Sequence, residues 1–115
     1  MGRRHRQRTK LAAPVSEYRD HDGNLLRLRG SLPPRARREY AESLSAGLDR
    51  EDARQRAIEL LFERLTVAWT MAGVETVSAK ELIGRYRMAS EDERSFVLQA
   101  LREHVGEHFP ELAAP

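Results

Sequence analysis

The longest apolar pattern in the chain runs from Asp49 to Ala72. Placed every 100°, its residues fall into three adjoining stripes. Ala57, Leu61, Leu65, Ala68 and Ala72 make one, Ile58, Phe62 and Trp69 a second, and Leu60, Val67 and Met71 a third. The polar face is narrow: Gln55, Glu59, Glu63, Thr66 and Thr70. A surface helix of a globular protein hides one stripe. The pattern therefore predicts a continuous helix over residues 50–72 that needs cover around most of its girth. It would be the centre of a bundle or part of a subunit interface. Asp49 suits its N-cap, Glu51 and Asp52 suit the positive end of its dipole, and Gly73 ends it.

Three further helices follow from capping and spacing. One is predicted over residues 33–46, with Pro33 in the first turn, where a missing N–H costs nothing. It carries Ala36, Tyr40 and Leu44 at four-residue spacing and stops at Gly47. The next two open with capping boxes, Ser78–Glu81 and Ser90–Glu93. They are predicted over 79–88, with a Glu81–Arg85 pair at helical spacing, and over 91–105, ended by Gly106. Phe109 and Leu112 are placed to fold back and anchor the tail.

Residues 15–30 alternate as a β-hairpin around Asp22-Gly23, where glycine accepts a positive φ. A three-residue loop would set Tyr18 opposite Leu28 and Glu17 opposite Arg29. A two-residue loop would set Leu28 against Glu17 instead. The first pairing is the better chemistry. A lone hairpin is barely stable, so it must lean on the helices through Tyr18, Leu26 and Leu28. The expected fold is mainly α: a four-helix bundle-like domain with a central apolar helix and an N-terminal β-hairpin. It occupies residues 14–115 as one domain, with no internal repeat and no linker.

Composition changes this picture at one end only. A length of 115 residues fits one domain with a real core. The absence of cysteine excludes disulfides, thiolate zinc sites and thiol catalysis. The longest uncharged stretch, Leu65 to Val74, is half of what a bilayer-spanning helix needs. No apolar run follows the basic start, so the expectation is a cytoplasmic protein with no membrane contact. Residues 1–38 carry a formal charge of +8 and residues 39–115 one of −6. Residues 1–13 hold five basic residues, no acid and little that is apolar, and read as a disordered arm. Such an arm suits contact with phosphate or another acidic surface. It equally suits a solubilising start.

Candidate chemistry is sparse. His104-Val-Gly-Glu107-His108 matches the H-x-x-E-H pattern of zinc proteases, which need two histidines one helical turn apart and a glutamate base. Gly106 inside the helix and the few residues after His108 argue against a metal site. No nucleophile elbow and no glycine-rich phosphate loop is present. The chain is therefore expected to be no enzyme, with no cofactor and no metal. The last two helices have helix-turn-helix proportions. However, the second would drive Glu91, Asp92 and Glu93 toward phosphates, which repels. Any nucleic-acid contact would fall to Arg3, Arg4, Arg6, Arg8 and Lys10, with Arg27, Arg29, Arg35, Arg37 and Arg38 as one basic edge. Leu60, Val67 and Met71, the outermost apolar stripe, are the candidate partner-binding or dimer seam; ordinary core packing explains them as well.

The hairpin DGNLLRLRG, then RREYAE, ELLFERLTVAW and SAKELIGRYR, spread over about residues 15–105, resemble small tail assembly chaperones of tailed phages and prophages. The resemblance implies a mostly helical, non-catalytic protein that shields a tape-measure protein during assembly. The first expectation is accordingly a non-enzymatic interaction or assembly protein that binds another protein or itself. The second is a basic-armed accessory protein of nucleic acid or ribonucleoprotein.

Overall fold

The computed structural model describes residues 14–47 and 49–115. Strands β1 (Val15–Arg19) and β2 (Leu25–Arg29) are followed by helices α1 (Pro34–Ser45) and α2 (Arg50–Leu65). Strands β3 (Thr66–Met71) and β4 (Val74–Thr76) come next, then helices α3 (Ala79–Arg87) and α4 (Glu91–His108). The order ββαα thus occurs twice, although the sequence shows no repeat. The four strands form one antiparallel sheet in the order β1-β2-β3-β4. The fold is therefore a mixed α/β one, and the expected four-helix bundle is wrong.

The error has one source. The segment expected to be a single helix over 50–72 is a helix to Leu65 and a strand from Thr66. The last helical bond runs from the Thr66 N–H to the Phe62 carbonyl, and Thr66 itself is already extended. Thr66, Val67, Trp69 and Thr70 are β-branched or aromatic, the types that suit a pleated surface. What disguised the strand is a register shift opposite Arg27 and Leu28. Arg27 pairs with Ala68, but Leu28 pairs with Thr66, one residue further than regular pairing allows. The extra residue puts Thr66 and Trp69 on the same face, three positions apart. That spacing looks helical in sequence.

The β3–β4 connection is a two-residue turn, since Met71 pairs directly with Val74. Ala72 and Gly73 both have positive φ, 50° and 79°, the signature of a type I′ turn. Ala72 carries the strain, and its N–H is held by the Asn24 side-chain oxygen at 3.0 Å. Asn24 thereby ties the first hairpin's loop to the second's. That first loop has five residues rather than three, because Arg19 pairs with Leu25. Tyr18 opposes Leu26 and Glu17 opposes Arg27, two residues from the expected register. A shift of two preserves the faces. Asp20 closes the loop by accepting N–H bonds from Asp22 and Asn24, both 2.9 Å, while Gly23 turns at φ 84°.

Leu26, Leu28 and Trp69 are buried, while Glu17, Arg19, Arg29 and Glu75 on the other face are exposed. The helices therefore cover one face of the sheet. Phe62 is the hub of the core. It meets Trp69 edge-on at 5.6 Å and stacks on Tyr86 at 4.9 Å, joining α2, β3 and α3. Asp49 caps α2, accepting from Glu51 and Asp52, and Ser90 with Glu93 completes a capping box on α4. Ser78 caps α3, but Arg85 reaches Thr76 Oγ1 at 3.0 Å, not the Glu81 partner expected. Helix α4 runs through Gly106 to His108, past its expected end. Phe109 is buried and Leu112 packs against the core, so the tail does fold back. Tyr40 donates to the Ala113 carbonyl at 2.6 Å, and burial pushes its hydroxyl pKa up to about 12. No helix among the described residues is long and apolar enough to cross a membrane.

Candidate functional site

Among the described residues strand β1 is an edge, pairing with β2 on one side only. Its Tyr18 turns inward with Leu26 and Trp69, and there meets α4. The Tyr18 hydroxyl lies 2.8 Å from His104 Nδ1, and His104 Nε2 lies 2.8 Å from the Arg29 carbonyl oxygen. A carbonyl only accepts, so Nε2 carries the proton and Nδ1 accepts from tyrosine. His104 is fully buried. Burial chiefly pushes its pKa below 6.5, against the Arg29 carbonyl bond, which favours the charged form. Burial likewise raises the Tyr18 pKa, with Glu107 and Glu103 adding to it and Ser16 opposing. One turn further along α4, His108 Nε2 lies 3.2 Å from Ser16 Oγ. These contacts clamp β1 onto the C-terminal half of α4.

Toward the other end of α4 the two elements part. Between Glu17–Asn24 and Ser90–Glu103 lies an open groove of about 820 Å³. Tyr18, Phe96 and Ala100 give it an apolar floor. Its rim is acidic, with Glu17, Asp20, Asp22, Asp92, Glu93 and Glu103 against Arg19 and His21. The spacing of Asp92, Phe96, Gln99 and Glu103 puts one α4 face along the groove. Some of these acids have local duties. Glu93 accepts from the Ser90 N–H in the capping box, and Glu17 pairs with Arg27 at 3.0 Å. For Asp20, burial works upward, yet the hydrogen bonds from Asn24 and Asp22 hold its carboxyl below the usual value. Asp22 Oδ2 lies 3.5 Å from the exposed His21 Nε2, and Asp92 and Glu103 have no ion pair among the described residues.

The histidine cluster lacks the geometry of catalysis or metal binding. Both His104 nitrogens are engaged, leaving no lone pair for a metal. Ser16 and Glu107 both lie nearest the same nitrogen of His108, Nε2, at 3.2 and 3.8 Å. A triad needs its third group on the opposite nitrogen. Among the described residues no group of three His, Asp or Glu could hold a metal ion.

The other residues singled out in the sequence are scattered. Leu60 lies on α2, and Val67 and Met71 on β3, so they do not form one helical stripe. Leu60 and Met71 pack against the core half-buried, and Leu60 also lines a shallow cleft with Ile83, Arg56 and Arg87. Arg27 is paired with Glu17, and Arg37 with Glu111. Arg37 also lies over the Phe109 ring at 5.2 Å. Arg29, Arg35 and Arg38 are exposed. Arg3, Arg4, Arg6, Arg8 and Lys10 lie outside the described residues. The sequence reading missed the groove because its two walls are far apart in the chain. The one available signal is the run Glu91–Glu93, whose carboxylates repel phosphate. Those same residues furnish two of the groove's carboxylates.

The chain matches no protein-family model, and no match is found among the curated proteins or the solved structures.

Proposed function

We propose that this chain is a small non-enzymatic protein-interaction protein that takes an extended, basic segment of a partner into the groove between β1 and α4. The observation that carries the reading is the groove itself: β1, an edge strand among the described residues, and α4 flank an apolar floor under an acidic rim. A strand edge offers main-chain hydrogen bonds, and the floor and rim supply selectivity for side chains. Carboxylates in such a groove attract arginine and lysine and repel phosphate. That repulsion counts against the nucleic-acid alternative. So does the engagement of Arg27 and Arg37 by carboxylates.

The finer reading is assembly chaperone, of the kind that guards a phage tail component until use. Its support is the sequence resemblance; a groove that grips through charge and edge pairing suits temporary holding. Fluorescence anisotropy with arginine-rich, glutamate-rich and neutral peptides of equal length tests the broader reading. Saturable binding of the arginine-rich peptide alone supports it, and indifference to peptide charge removes it. Co-expression with a tape-measure protein encoded beside the gene tests the finer one: the partner should stay soluble only with the chaperone present.

A further inference from the structure

We infer that the groove is built for arginine in particular: a guanidinium of the partner's segment stacks on the Phe96 ring and pairs with the Asp92 carboxylate beside it. This rests on the groove being a binding site for basic segments, and it makes Phe96 the residue that sets arginine above lysine.

Helix geometry places the two groups. Asp92 and Phe96 stand four residues apart on α4, so they are neighbours on one face, about 5–6 Å apart at Cβ. Both line the groove. Phe96 packs against the core yet is only half-buried, so it offers part of its surface to the groove. Asp92 is exposed and makes no ion pair among the described residues. Glu103, about two turns further along α4, lies close enough to Tyr18 to help raise its hydroxyl pKa. The negative field therefore runs along the floor as far as β1.

The molecule closes two of its other rings with arginine. Arg37 lies over Phe109 at 5.2 Å and pairs with Glu111, two residues further along the chain. Arg94 lies over Tyr86 at 5.5 Å and donates to the Tyr86 carbonyl at 3.3 Å. Both rings are buried. Among the described residues no cation lies over Phe96, although Arg19 lines the same groove. Phe96 thus has a carboxylate at its side and an open face.

The chemistry of that pair separates the two basic side chains. A guanidinium is flat, weakly hydrated and donates from its edges. It can lie face-on against a ring while its N–H groups reach a carboxylate in its own plane. A lysine ammonium is compact and strongly hydrated. It can pair with Asp92, but it keeps its water and gains little from a half-exposed ring.

The test uses the full-length chain and two labelled peptides of equal length and charge, one with arginine and one with lysine as its only basic residue type. They are titrated by anisotropy. Wild type should bind the arginine peptide about fivefold more tightly, the scale of a partly exposed cation–π contact with an in-plane hydrogen bond added. Phe96→Leu keeps an apolar side chain and removes the ring. It should weaken arginine binding until the two peptides differ by less than about twofold, with lysine binding little changed. Asp92→Asn should weaken both. Circular dichroism checks that each variant folds. The Phe96 ring resonances of the wild-type chain give a readout that needs no variant: they should shift as the arginine peptide is added and hardly move with the lysine one. Equal wild-type affinities for the two peptides overturn arginine selection and leave the groove reading standing. A preference that survives Phe96→Leu, or ring resonances that ignore the arginine peptide, overturns the role of Phe96. If neither peptide binds, the groove reading fails as well.

Discussion

Ala72→Gly separates two structures for this chain by the sign of one stability change. Ala72 sits at φ 50° in the turn between β3 and β4. Left-handed backbone costs an L-residue with a Cβ roughly 1–2 kcal/mol. Glycine removes that strain but gives back about 0.4–1 kcal/mol through the greater freedom of the unfolded chain. The Ala72 N–H bond to Asn24 is a backbone bond and survives the change. The net expectation is stabilisation by about 0.5–1 kcal/mol. For a domain of this size that is a rise in Tm of about 2–5 °C. Were Ala72 the last turn of a long helix, glycine would instead destabilise by up to about 1 kcal/mol. Urea unfolding, with the midpoint read at unchanged slope, decides between them. A midpoint that falls refutes the turn. Ala72→Asn should act in the same direction, since Asn-Gly is the favoured type I′ pair.

Other consequences follow from the same contacts. Stability should fall as pH drops through about 6.5, because unfolded His104 takes a proton there while the buried one, facing Tyr18, Arg29 O, His108 and Glu107, resists it. The loss levels off below the folded pKa, and His104→Gln should flatten the urea-midpoint profile over pH 5 to 8. Asn24→Ala removes the side-chain bonds to Ala72 and Asp20 and should cost about 1–2 kcal/mol in urea unfolding. Ser90→Ala breaks the capping box of α4 and should cost about 1 kcal/mol by the same assay. Phe62→Ala empties the hub between Trp69 and Tyr86 and should cost about 3–5 kcal/mol, read as a large drop in Tm.

What local chemistry dictates was legible in the sequence. Asp49, Ser78 and Ser90 start helices because each offers an oxygen to orphan N–H groups, a rule that works within four residues. The face of Tyr18 and Leu26 was legible for the same reason: alternation needs only neighbours. What failed needed distant partners. Thr66–Met71 is a strand because β2 waits forty residues earlier to pair with it, and the bulge beside Arg27 and Leu28 gave its inward residues a helical spacing. The Ala72-Gly73 turn resembles a helix stop in sequence because alanine at positive φ is not a sequence signal. His104 stands out in the sequence only through the H-x-x-E-H pattern, where a structural role outweighs a metal one; its partner Tyr18 lies too far along the chain for spacing to reveal. The groove joins Asp20 to Asp92, a juxtaposition no spacing rule reveals.

With Thr66–Met71 a strand between β2 and β4, β1 is left at the sheet edge beside α4 among the described residues. Nuclear Overhauser contacts across that segment test it directly in the full-length chain. Backbone contacts from Trp69 to Leu26 and Thr76, and from Thr70 to Leu25 and Glu75, are predicted, with extended-type carbon shifts from Thr66 to Met71. Contacts three residues apart running unbroken from Arg50 to Ala72, with helical shifts throughout, would contradict it.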